Sequence, residues 1–165
     1  LAQSTGCAVL MSHLLSGGDA DFERVVLLAP LLKPCDWWWG KPAHSLLKYF
    51  IHSLPRKFAD NSDDQLFLEF LRERDPLQAR FLPLSWVGAL KKWQTWFHRQ
   101  QPVSSSLMIL QGDQDETVEW RYNLPRIQAK FPNAKIVHVP GARHHLAKEG
   151  EVYREQLWQA CDDYL

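Results

Sequence analysis

The chain has 165 residues with 19 basic and 19 acidic side chains, so its formal net charge is zero. Its composition, 45% hydrophobic and 23% charged, is typical of one globular domain and excludes a disordered or fibrous chain. A neutral chain without a basic stretch gives no electrostatic basis for binding nucleic acid or an anionic membrane surface. The longest apolar run, residues 25–32, is far shorter than the roughly 20 residues of a membrane-spanning helix. We therefore expect no nucleic-acid partner and no transmembrane segment.

The cysteines and the first residue bear on the compartment and on the completeness of the chain. Cys7, Cys35 and Cys161 form no CxxC pair, and their odd number argues against a disulfide framework. This predicts a reducing compartment and a cytoplasmic location. The sequence begins with Leu1 rather than Met, and no signal-like segment precedes the first predicted element, so we expect a processed or cut chain.

The first predicted element is a tight turn that leads into an apolar helix. Its sequence, Ala2-Gln3-Ser4-Thr5-Gly6, has the small-x-Ser-x-Gly form of a nucleophile elbow. Small residues allow the tight turn, which holds the serine hydroxyl exposed and places the next backbone N–H at a helix N-terminus, where it can stabilise an oxyanion. The alternative is an ordinary helix N-cap formed by Ser4.

Three short apolar runs predict buried parallel strands at residues 25–28, 106–111 and 135–139. The latter two are each followed by a polar or glycine-bearing loop and a helical stretch, at residues 118–131 and 151–165. This alternation predicts an α/β fold with a parallel sheet.

Residues 33–105 interrupt this alternation and contain six of the eight tryptophans. In the clearest predicted helix, Trp86, Leu90, Trp93 and Phe97 recur at intervals of four, three and four residues, which forms one apolar stripe. We interpret residues 33–105 as an inserted helical cap, and residues 1–32 and 106–165 as the core. The alternative is that these aromatic side chains are ordinary helix-packing residues.

A carboxylate-bearing loop follows the second predicted core strand, with Asp113 and Asp115 in the sequence Gly-Asp-Gln-Asp-Glu-Thr-Val. Catalytic groups in open α/β sheets gather at the carboxyl ends of the strands, so one of these carboxylates can orient an imidazole there. The alternatives are a solvated loop in which either aspartate caps the next helix, and a metal site on the pair.

A histidine-bearing loop follows the last predicted strand, and it contains His144 and His145. A histidine at this edge of the sheet can act as general base towards a serine. Adjacent histidines usually point to different sides, which argues against a shared zinc site, and we expect no metal and no cofactor. His13, His44, His52, His98 and His138 lack this placement.

The order serine, acid, histidine, each at a strand end, is that of the α/β-hydrolase triad. The sequence resembles the α/β-hydrolase superfamily, and most of all its lysophospholipase, monoacylglycerol-lipase and serine-aminopeptidase-like branch. Four motifs carry the resemblance and together span the chain: Gln-Ser-Thr-Gly at 3–6, Leu-Leu-Ala-Pro at 27–30, Gly-Asp-x-Asp-x-x-Val at 112–118 and Gly-Ala-x-His-x-x-x-x-Glu at 141–149.

The resemblance implies Ser4 as nucleophile, His144 as general base, Asp115 rather than Asp113 as the acid, and the Thr5 N–H as an oxyanion-hole donor. Glu149 matches an acidic residue that often follows the histidine, and we interpret it as structural. Ala2 stands where the elbow more often has glycine, and alanine is small enough for the turn.

The superfamily places several strands, and a loop with a second oxyanion-hole donor, before the elbow. The chain starts at the elbow, so we expect it to be the C-terminal part of a larger hydrolase, inactive on its own if the second donor is missing.

The function implied is a serine hydrolase that cleaves carboxylic esters through an acyl-enzyme, on a small-molecule substrate with an apolar acyl group such as a monoacylglycerol or a lysophospholipid. Small esters and peptides stay open, as does the oligomeric state. Candidate substrate-binding residues are Trp37, Trp38, Trp39 and Trp86. The alternatives are a non-catalytic protein that uses the fold for binding or interaction, and an inactive fragment of the enzyme.

Overall fold

The computed structural model of the chain describes residues 1–18, 21–35, 52–56 and 58–165. The strands in these ranges are β1 (Ala2–Gln3), β2 (Val25–Leu28), β3 (Ser53–Pro55), β4 (Phe81–Pro83), β5 (Leu107–Gly112) and β6 (Lys135–Val139). The helices are α1 (Thr5–His13), α2 (Gln65–Glu69), α3 (Leu84–Arg99), α4 (Trp120–Lys130) and α5 (Glu151–Asp162). Short turns of π-helix follow α1 (Leu14–Gly18) and α2 (Phe70–Arg74), and a 3-10 turn (Leu146–Lys148) precedes α5.

Four of the strands form one parallel sheet in the order β1-β2-β5-β6. The pairing of β2 with β5 runs from Val25 opposite Leu107 to Leu28 opposite Leu110, and β5 pairs with β6 over residues 108–112. Because the strands are parallel, their carboxyl ends lie at one edge of the sheet. The segments that follow β1, β5 and β6 are therefore gathered at that edge.

Helices cover both faces of this sheet, so the strand residues alternate between two apolar clusters. One face buries Leu27, Leu107 and Ile109 against α1, α3 and α4, and the other face buries Leu28 and Leu110 against α5. Each of these side chains contributes about 1.5–3 kcal/mol when it is removed from water. This two-sided burial explains why the strand sequences are continuously apolar rather than alternating.

The segment between β2 and β5 contributes both helices and strands. Between β2 and β5, the described residues form a two-stranded antiparallel sheet of β3 and β4 and the helices α2 and α3. The predicted apolar stripe lies in α3, where Leu90 and Phe97 are buried and Trp86 and Trp93 are half-buried. Trp93 Nε1 donates a hydrogen bond to Ser12 Oγ of α1 at 2.6 Å, so α3 contacts the core directly. A cap with the boundaries 33–105 stays a prediction.

The predicted parallel sheet flanked by helices is confirmed, with small shifts at the ends of the elements. The helix predicted over residues 118–131 begins at Trp120, because Val118 instead forms a β-bridge with Pro34. The helix predicted over 151–165 ends at Asp162. None of the helices in the described ranges is both long and apolar enough to cross a membrane.

Candidate active site

Ser4 lies in the turn between β1 and α1 with φ 52° and ψ −117°, a conformation that non-glycine residues rarely adopt. The strained turn is held by hydrogen bonds from Ser4 N to Leu28 O at 2.9 Å and from Cys7 N to Ser4 O at 3.0 Å. A Cβ atom on Gly6 would lie 3.8 Å from the Cβ of Ala2, so the two small residues face each other across the turn. The geometry is that of the tight elbow predicted from the pentad.

The Ser4 side chain does not cap α1, which argues against its interpretation as an ordinary N-cap. Its Oγ instead lies 2.9 Å from Nε2 of His144. Nδ1 of His144 lies 2.8 Å from Oδ2 of Asp115. Three residues that are far apart in the sequence therefore form one continuous line of hydrogen bonds at the carboxyl edge of the sheet.

The loops that carry Asp115 and His144 touch each other directly. A Cβ atom on Gly112 would lie 2.2 Å from Ala142 O, so only glycine permits this approach of the two backbones. Gln114 N donates to Ala142 O at 3.0 Å, and Gly141 N donates to Asp113 Oδ1 at 2.8 Å. The Asp113 carboxylate thus links the two loops and is not part of the line of hydrogen bonds from Ser4 through His144 to Asp115.

The Asp115 carboxylate is fully buried and accepts four hydrogen bonds. Thr117 N and Val118 N donate to Oδ1 at 2.8 and 3.1 Å. Besides His144, Gln111 Nε2 donates to Oδ2 at 3.0 Å. Burial acts to raise the pKa of Asp115, but the hydrogen bonds and charge of His144 and the other donors outweigh it and hold this pKa below its usual value.

The state of Asp115 determines the tautomer of His144. An ionised carboxylate has no proton to donate, so the proton of the His144–Asp115 hydrogen bond belongs to Nδ1. In the neutral ring Nε2 then carries a lone pair, and the Ser4 hydroxyl donates to it. The imidazole is buried, with 4% of its side chain exposed, so this orientation is held by the surrounding protein.

Thr5 is the first residue of α1, and its backbone N–H has no hydrogen-bond partner within the described part of the chain. A helix N-terminus carries partial positive charge and stabilises anions. This N–H next to Ser4 is the donor that the sequence predicts for an oxyanion, and that role stays a prediction.

Cys7 is a further side chain near the elbow that carries a nucleophilic atom. Burial raises the pKa of its thiol to about 12, although hydrogen bonding to Leu28 O acts in the opposite direction. Its Sγ donates to Leu28 O at 3.4 Å and to Ala2 O at 3.3 Å. The thiol is therefore protonated at neutral pH and is a packed core residue.

His145 makes no hydrogen bond to the Ser4 hydroxyl within the described residues. Its ring packs edge-on against Phe67, and Nδ1 lies 3.3 Å from Gln3 Nε2. Burial lowers the pKa of His145 to about 4, with the charges of His144 and Arg56 acting in the same direction. Its imidazole is neutral at physiological pH.

A segment between β3 and α2 supports the backbone of the histidine loop. The carbonyl oxygen of Asn61 accepts hydrogen bonds from both His144 N, at 3.1 Å, and His145 N, at 2.9 Å. A described part of residues 33–105 is therefore attached to the loop that carries the candidate base.

Glu149 makes a second connection between these segments. Its carboxylate is fully buried, and its Oε1 accepts from Arg143 N at 2.6 Å. Its Oε2 accepts from Asp63 N at 2.6 Å, Ser62 Oγ at 3.3 Å and Gly150 N at 3.3 Å. These contacts support the structural role predicted for Glu149.

Of the four predicted substrate-binding tryptophans, Trp86 lies within the described residues. Trp37, Trp38 and Trp39 lie outside the described residues. Trp86 is half-buried and packs on an apolar cluster that includes Leu84 and Val87. Contact of Trp86 with a substrate stays a prediction.

Two residues of this site were missed by the sequence analysis. Gln111 was included only as the last residue of the strand predicted at 106–111, although a buried amide at the end of an apolar strand signals a polar partner. Asn61 could not have been found, because it acts through its backbone carbonyl and any residue type supplies that group.

The sequence and the structure of the chain were compared with those of known proteins. No family model and no curated protein sequence matches the chain. Among solved structures, a monoacylglycerol lipase of Paleococcus ferrophilus superposes with a TM-score of 0.80 at 16% identity, over 98% of this chain and 65% of that one. A soluble variant of monoglyceride lipase from Saccharomyces cerevisiae, in complex with a substrate analogue, gives 0.79 at 14% identity, over 98% and 59%.

A third similar structure is Est1E of Butyrivibrio proteoclasticus with bound ferulic acid, with a TM-score of 0.52 at 19% identity, over 98% of this chain and 57% of that one. The chain thus spans about three fifths of the length of these structures. At identities this low, the structural similarity establishes the fold alone. The parallel sheet and its flanking helices are part of an α/β-hydrolase fold.

Proposed function

We propose that this chain carries the catalytic triad of a serine hydrolase that cleaves carboxylic esters, with Ser4 as nucleophile, His144 as general base and Asp115 as the orienting acid. The observation that carries the proposal is the hydrogen-bond line from Ser4 Oγ to His144 Nε2, at 2.9 Å, and from His144 Nδ1 to Asp115 Oδ2, at 2.8 Å. Nucleophile and base within hydrogen-bond reach, with the base oriented by a third group, is the arrangement that activates a serine.

In the acylation half of the proposed reaction, Ser4 Oγ attacks the ester carbonyl carbon while His144 Nε2 takes the hydroxyl proton. Asp115 stabilises the imidazolium that forms, and the Thr5 N–H donates to the tetrahedral oxyanion. The oxyanion collapses, the C–O bond to the alcohol breaks, and His144 returns its proton to the leaving alkoxide.

In the deacylation half, a water molecule attacks the acyl carbon of the Ser4 ester, and His144 Nε2 takes one of its protons. Collapse of the second tetrahedral intermediate breaks the bond to Ser4 Oγ, which recovers the proton from His144. The carboxylic acid leaves, and the neutral serine and imidazole are restored.

We propose a lipid-like ester as substrate, with an apolar acyl chain as in a monoacylglycerol or a lysophospholipid. Two observations support this class over small polar esters. The insertion that we propose as a cap over residues 33–105 is rich in tryptophan, and two of the most similar structures are of monoacylglycerol or monoglyceride lipases. Trp37, Trp38, Trp39 and Trp86 are the side chains proposed to contact the acyl chain.

Covalent labelling of the full-length protein with a fluorophosphonate tests the nucleophile, and mass spectrometry locates the adduct. We expect one adduct, on Ser4, which is absent in Ser4→Ala and retained in Ser16→Ala, a matched change at an exposed serine. A folded protein that takes up no label would overturn the hydrolase and favour a binding protein that uses the same fold.

The substrate class is tested separately by a series of p-nitrophenyl esters and monoacylglycerols of increasing acyl length. We expect kcat/KM to rise with acyl length from two to at least eight carbons, because an apolar pocket gains about 0.8 kcal/mol for each buried methylene group. A maximum at acetyl with labelling intact would overturn the lipid-like substrate and leave the hydrolase standing.

A further inference from the structure

Gln111 is a buried polar residue at the end of an otherwise apolar strand. It lies in β5 after Leu107, Met108, Ile109 and Leu110, and it is fully buried. A side-chain amide at such a position is destabilising unless it is hydrogen-bonded. The hydrogen-bond partners of Gln111 therefore indicate why this position does not hold an apolar residue.

The amide group of Gln111 is directed at the acid of the proposed triad. Nε2 donates to Asp115 Oδ2 at 3.0 Å and to Gly112 O at 3.0 Å, which uses both of its protons. Oε1 is buried and has no hydrogen-bond partner within the described residues. In the reversed orientation Oε1 would face two acceptor oxygens, so the contacts themselves fix which end of the amide meets Asp115.

Two donors thus converge on one carboxylate oxygen. Oδ2 of Asp115 receives both the Gln111 amide and the His144 Nδ1–H, whereas Oδ1 is held by the backbone N–H groups of Thr117 and Val118. The backbone donors fix one oxygen, and the Gln111 amide adds the contact that fixes the second oxygen opposite His144. Because Oε1 of Gln111 is buried without a hydrogen-bond partner, placing the Gln111 amide next to Asp115 lowers the stability of the fold.

We propose that Gln111 is a positioning residue, whose amide holds the Asp115 carboxylate in the orientation that accepts the Nδ1–H of His144. The inference rests on the proposed serine hydrolase and extends it by a residue that does not touch the substrate. Gln111 acts only through Asp115, and this restriction makes the proposal testable.

The first test is Gln111→Met in the full-length protein, which keeps the length of the side chain and removes both the donor and the unpaired oxygen. We expect kcat to fall about tenfold with KM nearly unchanged, because one hydrogen bond to a charged group is lost. Without that donor, the negative charge on Asp115 Oδ2 is less neutralised and attracts the protonated imidazole more strongly. The midpoint of the acid limb of kcat/KM therefore moves to higher pH. Gln128→Met, at an exposed glutamine of α4, is the matched control and leaves both quantities unchanged.

The other titratable groups near His144 are the same in variant and wild type. The ring centroid of His145 lies 5.5 Å from that of His144, and the charge of Arg56 acts on His145. A shift of the acid limb in Gln111→Met therefore reports on the Gln111–Asp115 contact.

A double-mutant cycle with Asp115→Asn separates positioning from a general structural role. If Gln111 acts through the Asp115 carboxylate, Gln111→Met adds less than a twofold loss in the Asp115→Asn background. An equal loss in both backgrounds, or an unchanged kcat and acid limb in Gln111→Met, overturns the proposal. If Gln111→Met does not fold, Gln111→Leu is judged on the same cycle.

Fluorophosphonate labelling of the wild-type protein keeps the two proposals distinct. An unlabelled Ser4 overturns the hydrolase and with it the role of Gln111. A labelled Ser4 with unchanged kinetics in the Gln111 variants overturns the positioning role alone.

Discussion

Nδ1 of His144 lies 2.8 Å from Oδ2 of Asp115, although 29 positions separate the two residues in the chain. The pairing of neighbouring parallel strands β5 and β6 brings them together, because both residues follow strands that end at the same edge. Gly112 then allows the two loops to touch at backbone distance. The pairing of these two strands thus brings the two side chains within hydrogen-bond distance.

Ser4→Ala in the full-length protein is expected to lower kcat by roughly four to six orders of magnitude, the loss that follows removal of a triad nucleophile. Stability should fall by no more than about 1.5 kcal/mol, because the hydroxyl makes no capping bond to α1 and only its hydrogen bond to His144 Nε2 is lost. Ester hydrolysis and thermal melting of the same preparation measure the two effects. A loss below tenfold would show that another residue is the nucleophile.

His144→Ala is expected to cost as much as Ser4→Ala, and the double variant should lose no more than either single one, because the two side chains act as a unit. His145→Ala should reduce kcat by less than about tenfold, since its ring contacts Phe67 and Gln3 rather than the Ser4 hydroxyl. Steady-state kinetics of the four variants tests this. A severe defect in His145→Ala alone would exchange the roles of the two histidines.

Asp115→Asn is expected to lower kcat by about 10⁴-fold, as when a triad aspartate loses its charge and the imidazole takes the wrong tautomer. Asp113→Asn should be far milder in kcat, because the Asp113 side chain bonds to Gly141 N and not to His144. Comparison of the two kcat values checks the assignment, and a more severe Asp113→Asn would refute it.

Much of the fold followed from the sequence because the buried parallel strands are continuous apolar runs. The runs at 25–28, 106–111 and 135–139 each correspond to a strand within one residue. The sheet of β3 and β4 was not predicted, because strands of three residues carry too little pattern to be distinguished from a loop. Its register depends on contacts between segments far apart in the chain.

The same limit applies to the candidate site. Local patterns at strand ends indicated a serine, a pair of aspartates and a pair of histidines, and the resemblance to the α/β-hydrolase superfamily selected Ser4, Asp115 and His144 among them. The hydrogen bonds from His144 N and His145 N to the Asn61 carbonyl involve a backbone atom some eighty positions away, which no side-chain pattern encodes. Supporting contacts of this kind require the folded structure.

The half-buried, neutral His145 makes the stability of the fold depend on pH. The pKa of its imidazole is lowered to about 4 in the fold, by burial first, whereas an unfolded histidine has a pKa of about 6.5. Between these values the unfolded chain binds the extra proton, so acidification from pH 6.5 towards 4 destabilises the fold. The lowered pKa of Asp115 acts only below this window, near and under its unfolded value of about 3.9.

Urea denaturation at several pH values measures this effect as a difference between variants. From pH 7 to pH 5, wild type is expected to lose on the order of 1–2 kcal/mol more stability than His145→Gln. His138→Gln, at an exposed histidine, is the control and should follow wild type. If the free energy of unfolding of wild type and of His145→Gln depends on pH in the same way, His145 binds its proton as readily in the fold as in the unfolded chain, and the prediction is wrong.

Glu149→Gln is expected to destabilise the protein by roughly 2–3 kcal/mol, because a charged acceptor is replaced by a group with only one acceptor oxygen. The two shortest hydrogen bonds, from Arg143 N to Oε1 and from Asp63 N to Oε2, both 2.6 Å, use both carboxylate oxygens. In the amide one of these positions becomes an NH₂ group that faces a backbone N–H. The midpoint of urea denaturation at pH 7.5 measures the loss.

Glu155→Gln, at an exposed glutamate of α5, is the matched control and should stay within about 0.5 kcal/mol of wild type. Equal midpoints for Glu149→Gln and wild type would mean that the carboxylate does not hold residues 62–63 against the histidine loop.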